Sequence, residues 1–248
     1  MDIKNLLIAS SDEAWEKYLP HISIDCVVFG FHDASLKVLL TRLKGENDWL
    51  LPGGYVGKGE ELKEAAIRIL EQRTGAKDIY LQQFEVFDGL NRTSAFFEEY
   101  PEGLWHKIRF IAVGFYALVD FTHVIPVADA FSSDCEWQDV NNLPGMLMDH
   151  RAILDKALIT LRRELNYKPI GLSLLPEEFT MPELQSLYEI ILGRKLNRGN
   201  FYRKMIAYGI LIKLNHSRTG GAHKAPNLYK FDVEKYNEAL KGGFKESW

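Results

Sequence analysis

The chain has 248 residues, of which 46% are hydrophobic and 26% charged, a globular balance that excludes collagen, coiled-coil and disordered classes. The longest uncharged apolar stretch, residues 110–119, is half a membrane span, and the N-terminus lacks a basic region followed by an apolar core, so neither a bilayer span nor a secretory signal is expected. The net charge of −4 hides an asymmetry: residues 168–248 carry 13 Lys/Arg against 8 Asp/Glu, and residues 194–230 hold nine basic residues and no acidic one. That pattern suits an acidic domain joined to one that meets a polyanion, although a solvated basic face without a partner has the same composition.

In chain order, residues 22–31 (ISIDCVVFGF) are β-branched and aromatic and predict a strand. After the turn His32-Asp33-Ala34-Ser35, residues 36–43 return as its hairpin partner. Trp49-Leu50-Leu51 ends in a Pro52-Gly53-Gly54 turn. Residues 60–74 then place apolar side chains at 62, 65, 66, 69 and 70, helical spacing closed by Gly75. Residues 79–87 and 108–119 predict strands flanking a long aromatic-rich loop, 88–107, and residues 136–140 are short and extended. Residues 149–165 form a strongly amphipathic helix with Asp149 as its expected N-cap and His150 packed. Trp137 reads as a core anchor, and Cys26 and Cys135 as buried free thiols of a cytosolic protein. Lys168-Pro169-Ile170-Gly171 breaks the helix and divides the chain into domains 1–165 and 166–248. Residues 180–192 open with Thr180, Pro182 and Glu183, a capping box, and end at Gly193. A second short helix, 197–208, ends at Gly209, completing a helix-turn-helix. Residues 210–214 and 227–232 predict the strands of a β-hairpin wing around a basic tip.

The spacing Gly54, Glu60, Arg68, Leu70, Gly75, led by Leu51-Pro52-Gly53, resembles the Nudix box: Gly, five residues, Glu, seven residues, then Arg-Glu-aliphatic-x-Glu-Glu-x-Gly-aliphatic. The resemblance implies an α+β Nudix fold, a mixed sheet sandwiched by helices. Nudix enzymes hydrolyse diphosphates with Mg²⁺ held by box glutamates. Those glutamates fall here on Ile69, Gln72 and Arg73, an aliphatic group, an amide and a cation on one helical face. The chain is therefore expected to be no enzyme, with no catalytic residue, metal or cofactor, and Glu60 and Arg68 are read as a structural ion pair or loop anchor. Glu64 is left as a carboxylate that could face the old metal position.

The tail matches a second pattern. Leu174-Leu175-Pro176, Phe179-Thr180-Met181 and Glu183-Leu184-Gln185, with Asn200-Phe201 and Arg203-Lys204, resemble the winged-helix half of Nudix-related NrtR-type transcriptional regulators, and more narrowly their arabinose-responsive AraR branch in gut Bacteroidetes. In such regulators a disabled Nudix domain senses an effector and a C-terminal winged helix-turn-helix binds operator DNA as a dimer. Helix 197–208 is read as the recognition helix, with Phe201, Met205, Ile206 and Tyr208 as its core stripe. Arg198, Asn200 and Arg203 are candidates for base edges, Lys195 and Lys204 for phosphates, and Arg218, His223 and Lys224 for the wing tip.

The loop from Asp88 lies where NrtR-type regulators carry a Gly-Asp-Pro-x-Arg-Asp-Pro-Arg-like segment bearing on ADP-ribose, and it is altered here. A diphosphate wants several basic groups, and this loop offers mainly Arg92, with Arg42, Arg73 and Arg109 as possible neighbours. A sugar site combines an aromatic platform with directional polar groups. The candidate ligand set is therefore Arg42, Asp88, Asn91, Arg92, Glu98 and Trp105, although each aromatic serves equally to close a core. The expectation is a cytoplasmic, homodimeric, arabinose-released repressor bound to operator double-stranded DNA, with no membrane partner. An ADP-ribose-sensing NrtR-type regulator and an active Nudix diphosphate hydrolase stand as alternatives.

Overall fold

The computed structural model describes residues 2–74, 79–217 and 226–243. Packing divides the chain into two compact units, Met1–Gly30 with Lys37–Ala157, and Phe31–Leu36 with Leu158–Trp248.

The first unit is built on a seven-stranded mixed sheet. Its centre is β1 (Tyr18–His32), where Cys26, Val27, Val28 and Phe29 are all buried. A run buried on both faces is what an unbroken apolar strand means. β1 pairs antiparallel with β4 (Gly53–Gly57) and parallel with β6 (Ile111–Val119), from Ile22↔Ile111 to Gly30↔Val119. β2 (Ser35–Leu43) lies beside β1 and carries β3 (Trp49–Leu50) and β7 (Ser132–Asp139), while β5 (Tyr80–Phe87) forms the edge on β6. Helix α2 (Leu62–Thr74) lays Ala65, Ala66, Ile69 and Leu70 on Ile24, Cys26, Val28, Leu39, Val113 and Phe115, as its spacing predicts. Its expected stop, Gly75, lies outside the described residues.

Three features of this unit differ from the sequence reading. Helix α1 (Ile3–Lys17), capped by the Asp2 carboxylate accepting from Asn5 N–H at 2.9 Å, was not legible, because its apolar residues are not confined to one stripe. Ile3, Leu7 and Ala14 are buried while Ile8 and Trp15 are exposed. The loop 88–107 contains a short helix, α3 (Ser94–Phe97), and a 3₁₀ turn at Trp105–Lys107. Strand β7 begins at Ser132, earlier than the extended stretch at 136–140, because it pairs along β2 from Lys37↔Asp139 to Leu43↔Ser132. Helix α4 (His150–Glu164) contributes residues to both units.

The second unit carries α5 (Met181–Leu192), α6 (Arg198–Ala207) and a three-stranded sheet in the order β8 (Phe179–Thr180), β10 (Asn227–Phe231), β9 (Leu211–Ser217). The capping box forms as expected: Thr180 N–H donates to Glu183 Oε2 at 2.7 Å and Glu183 N–H to Thr180 Oγ1 at 3.3 Å. Gly193 ends α5 at φ 67°, the left-handed conformation glycine adopts without strain. The core joins Phe179 to Phe231 at 4.8 Å and Tyr188 to Phe201 at 5.4 Å. A final helix, α7 (Val233–Gly242), which the sequence reading did not assign, adds Tyr236, whose hydroxyl donates to Pro169 O at 3.0 Å. The helix-turn-helix followed by a hairpin wing is a winged helix, and the α+β class with a mixed sheet is the one expected.

Candidate functional site

The box loop is tightly built. A Cβ on Gly53 would meet Ile24 O at 2.8 Å and Asp25 Oδ1 at 2.9 Å, and one on Gly54 would meet Ile69 Cδ1 at 3.0 Å. At Gly53 the backbone of β1 leaves no room for a side chain, and at Gly54 the Ile69 side chain would have to give way. Arg68 donates through Nε to Glu60 Oε1 at 2.7 Å and through Nη2 to Tyr55 O at 2.8 Å, while Glu60 Oε2 accepts from Gly57 N–H at 2.9 Å. The bond from Arg68 holds the Glu60 carboxyl below its ordinary range. These two residues brace the β4–α2 loop. Glu64 Oε2 accepts from Glu61 N–H at 2.9 Å, capping the start of α2. Of the positions where Nudix enzymes place metal-binding glutamates, Ile69 is buried and Gln72 exposed, and the Arg73 side chain lies outside the described residues. Among the described residues no group of three or more His, Cys, Asp and Glu is placed to hold a metal ion. The described side chains at these box positions, Ile69 and Gln72, offer a divalent cation no carboxylate.

Beside this loop the first unit holds a cavity of about 470 Å³. Its apolar walls include Leu43, Leu50, Phe96, Phe97, Phe110 and Phe131, and its polar lining includes Asp25, Arg68, Gln72, Arg92, His106 and Ser132. Arg92 is its electrostatic centre. Its guanidinium donates to Asp149 through Nε at 2.6 Å and Nη2 at 3.0 Å, and from Nη2 to Asp25 at 3.1 Å. Burial opposes the charge, and the bonds to the two carboxylates outweigh it, so the guanidinium stays charged. Asp149 stands at the expected start of α4, its carbonyl accepting from Ile153 N–H at 3.1 Å, and its carboxylate also binds Arg92. His150 Nδ1 accepts from Leu51 N–H at 3.1 Å, so this nitrogen carries no proton.

The other candidate ligand residues are not gathered here. Trp105 is fully buried behind the wall, edge-on to Trp15 at 4.8 Å and to Tyr55 and Phe110 at 5.6 Å. Arg42 donates to Asp134 at 2.6 Å and lies over Trp49. Asp88 and Asn91 are exposed and use their backbone carbonyls, accepting from Arg109 at 2.8 Å and Ser94 at 3.1 Å, while Glu98 is exposed after α3. Of the set, Arg92 alone lines the cavity. The residues that sequence reasoning missed are those of α1 and His106, since nothing local in the sequence brings residues 7–17 and 106 to one wall. Trp137 packs on the core as expected, its ring 5.2 Å from Phe121.

Burial pushes the His106 imidazole down to about 4, and burial also lowers His150. Both are neutral in the fold and protonate once unfolded. The unfolded chain therefore binds more protons as pH falls below about 6.5, and this stability, present above that pH, is lost down to about 4. The melting temperature should fall over that window, and less steeply in His106→Phe. Parallel slopes for the two proteins would count against a buried neutral His106.

In the second unit the Asn197 carboxamide accepts from Asn200 N–H at 3.0 Å and starts α6. Phe201 and Met205 turn inward, while Arg198, Asn200, Tyr202 and Arg203 are exposed. Ile206, expected in the core stripe, is 43% exposed, since α6 buries only its 201/205 edge. Arg203 Nη2 donates to Asn200 Oδ1 at 2.6 Å, so two candidate base-reading side chains are held together. Lys195 donates to Glu189 at 2.8 Å. That bond, with those from Leu196 N–H and Gln185, pulls Glu189 down to about 2 and braces the turn between α5 and α6. Lys204 is half-buried. A groove between the starts of α5 and α6 and the wing strands is lined by Gln185, Arg198, Tyr202, Lys213 and Asn227. Arg218, His223 and Lys224 lie outside the described residues. No helix among the described residues is long and apolar enough to cross a membrane.

Two domain families match this architecture. The NUDIX domain model matches residues 19–161, and the NrtR DNA-binding winged helix domain model matches residues 171–231. The chain belongs to the NUDIX family. Within it, the chain has the NrtR-type arrangement of a Nudix domain followed by a winged helix. This Nudix chain is 29% identical over 225 residues, 88% of its length and 84% of the relative's, to the "ADPR responsive transcriptional repressor NtrR" of Acinetobacter baylyi. It is 26% identical over 142 residues to the ADP-ribose pyrophosphatase of Methanocaldococcus jannaschii, covering 56% of this chain and 76% of that one. Among solved structures, Shewanella oneidensis NrtR complexed with a 27mer DNA superposes with a TM-score of 0.74 at 25% identity, covering 92% of this chain and 99% of that one. A MutT/nudix family protein from Enterococcus faecalis shares the fold at a TM-score of 0.64 and 20% identity, over 86% of this chain and 87% of that one.

Proposed function

We propose that this Nudix-family chain is a DNA-binding transcriptional regulator whose first unit binds ADP-ribose as effector. The observation that carries the reading is the co-occurrence of both domain matches in one chain, with 29% identity across 88% of it to a repressor named as ADPR responsive. The cavity supports it with a volume of about 470 Å³ beside the box loop, where Arg68 and Arg92 present guanidinium groups. The mismatched box positions support a sensor in place of a hydrolase. Operator DNA is read by α6, with Arg198, Asn200 and Arg203 at base edges and Lys195 and Lys204 at phosphates. The regulator acts as a homodimer in the cytoplasm, since winged-helix readers use paired half-sites.

Arabinose draws no support from these relatives. One observation still favours a small neutral sugar as the second reading: both cavity arginines are already paired, Arg68 with Glu60 and Arg92 with Asp25 and Asp149, so a diphosphate must compete for them. Calorimetric titration separates the two. ADP-ribose should bind the full chain and remain intact in the presence of Mg²⁺, and arabinose should give no heat. Heat from arabinose alone would reverse the assignment.

On the DNA side, Arg203→Ala should relax sequence preference in footprinting. Lys204→Ala should weaken all sequences alike and lower the salt slope by about 1. An unchanged footprint in both variants would remove α6 as the reader.

A further inference from the structure

Helix α1 lies ahead of the stretch that the Nudix family model matches, residues 19–161, yet it forms a wall of the effector cavity. Leu7, Ser10, Glu13, Ala14 and Lys17 recur at three- and four-residue spacing, 7/10/14 beside 10/13/17, so one face of the helix lines the cavity. The helix is firmly seated. Ser11 Oγ accepts from Trp105 N–H at 2.9 Å, Lys4 Nζ donates to Glu99 O at 2.8 Å, and Ile3 and Leu7 pack on Phe97.

The charges around the cavity are unequally used. Arg68 and Arg92 are paired, and Lys17 lies over the Tyr18 ring at 5.3 Å. Glu13 has no ion-pair or hydrogen-bond partner among the described residues. His106 is buried in the wall, neutral, and its Nδ1 has no hydrogen-bond partner. An unpaired carboxylate repels phosphate and accepts strongly from hydroxyls, and a neutral imidazole donates from one ring nitrogen and accepts at the other.

We propose that α1 supplies the hydroxyl-recognising wall of the effector cavity, with Ser10 and Glu13 of α1 and His106 opposite a polyhydroxylated pentose ring. This rests on the effector reading above and names the part of the ligand that α1 takes: the terminal pentose of ADP-ribose, or a free pentose.

The test is calorimetry on the full chain with ADP-ribose, with ADP, which lacks that pentose, and with arabinose. Glu13→Gln keeps the shape and removes the charge at an exposed position, and Ser10→Ala is the second variant. With melting temperatures unchanged, Glu13→Gln should weaken whichever pentose ligand the wild type binds by about tenfold, the loss of one charge-assisted hydrogen bond. ADP should bind wild type and variants alike. If both variants bind the pentose ligand as tightly as wild type, or lose ADP equally, the α1 assignment is overturned while the effector reading stands. If wild type binds arabinose alone, the ADP-ribose reading falls and the α1 assignment is read on the free pentose; if it binds neither ADP-ribose nor arabinose, both readings fall together.

Discussion

Arg92→Ala should destabilise the first unit by about 3–5 kcal/mol, because it leaves two carboxylates without their counter-charge in a mostly buried site. The Arg92 side chain is 7% exposed, and its partners Asp25 and Asp149 are 10% and 25% exposed. Three separate segments meet at this guanidinium: the loop after β5, the middle of β1, and the residue that leads into α4. Arg92→Lys keeps the charge but cannot donate two parallel bonds to Asp149, so it should fall between wild type and alanine. Urea denaturation reads the effect as a lower midpoint at unchanged slope. A loss below about 1 kcal/mol, the range of an exposed pair, would mean the triad is solvated and not the centre of the cavity.

Trp105→Ala should cost a further class of stability, about 3–5 kcal/mol, through packing. The indole is fully buried and touches Trp15, Tyr55 and Phe110, and its backbone N–H holds Ser11. Read from sequence as an aromatic platform for a sugar, it instead stands behind the cavity wall. Loss of effector response in this variant should therefore come with a lower melting temperature, since α1 loses its seat. Lost effector binding at unchanged stability would put Trp105 in direct contact with the ligand.

The architecture was legible where chemistry is local. The capping box at Thr180, the Gly193 stop and the 3.6-residue spacing of α2 and α4 are decided by neighbours in sequence. The Gly53-Gly54 turn and the Glu60–Arg68 brace were legible through motif spacing. The cavity was not. Arg92 stood out as the loop's main basic group, but its two carboxylates lie 67 and 57 residues away. Asp149 was legible as the residue that starts α4, whose carbonyl accepts from Ile153 N–H at 3.1 Å, but its pairing with Arg92 from another loop was not. Helix α1 gave no clean amphipathic pattern because Ile8 and Trp15 are exposed, so the wall it provides was invisible. Ile206 was placed in the core by helical spacing, and only the tertiary arrangement decides how wide the buried stripe of α6 is.

The central claim, that a nucleotide-sugar effector in the first unit governs DNA binding by the second, is tested most directly by titrating the preformed protein–operator complex in a gel shift. A regulator's coupling energy is typically about 1–3 kcal/mol, enough to move the midpoint visibly. ADP-ribose should dissolve the complex in a saturable manner while arabinose leaves it intact. Dissolution by arabinose, with the complex indifferent to ADP-ribose, would contradict the account.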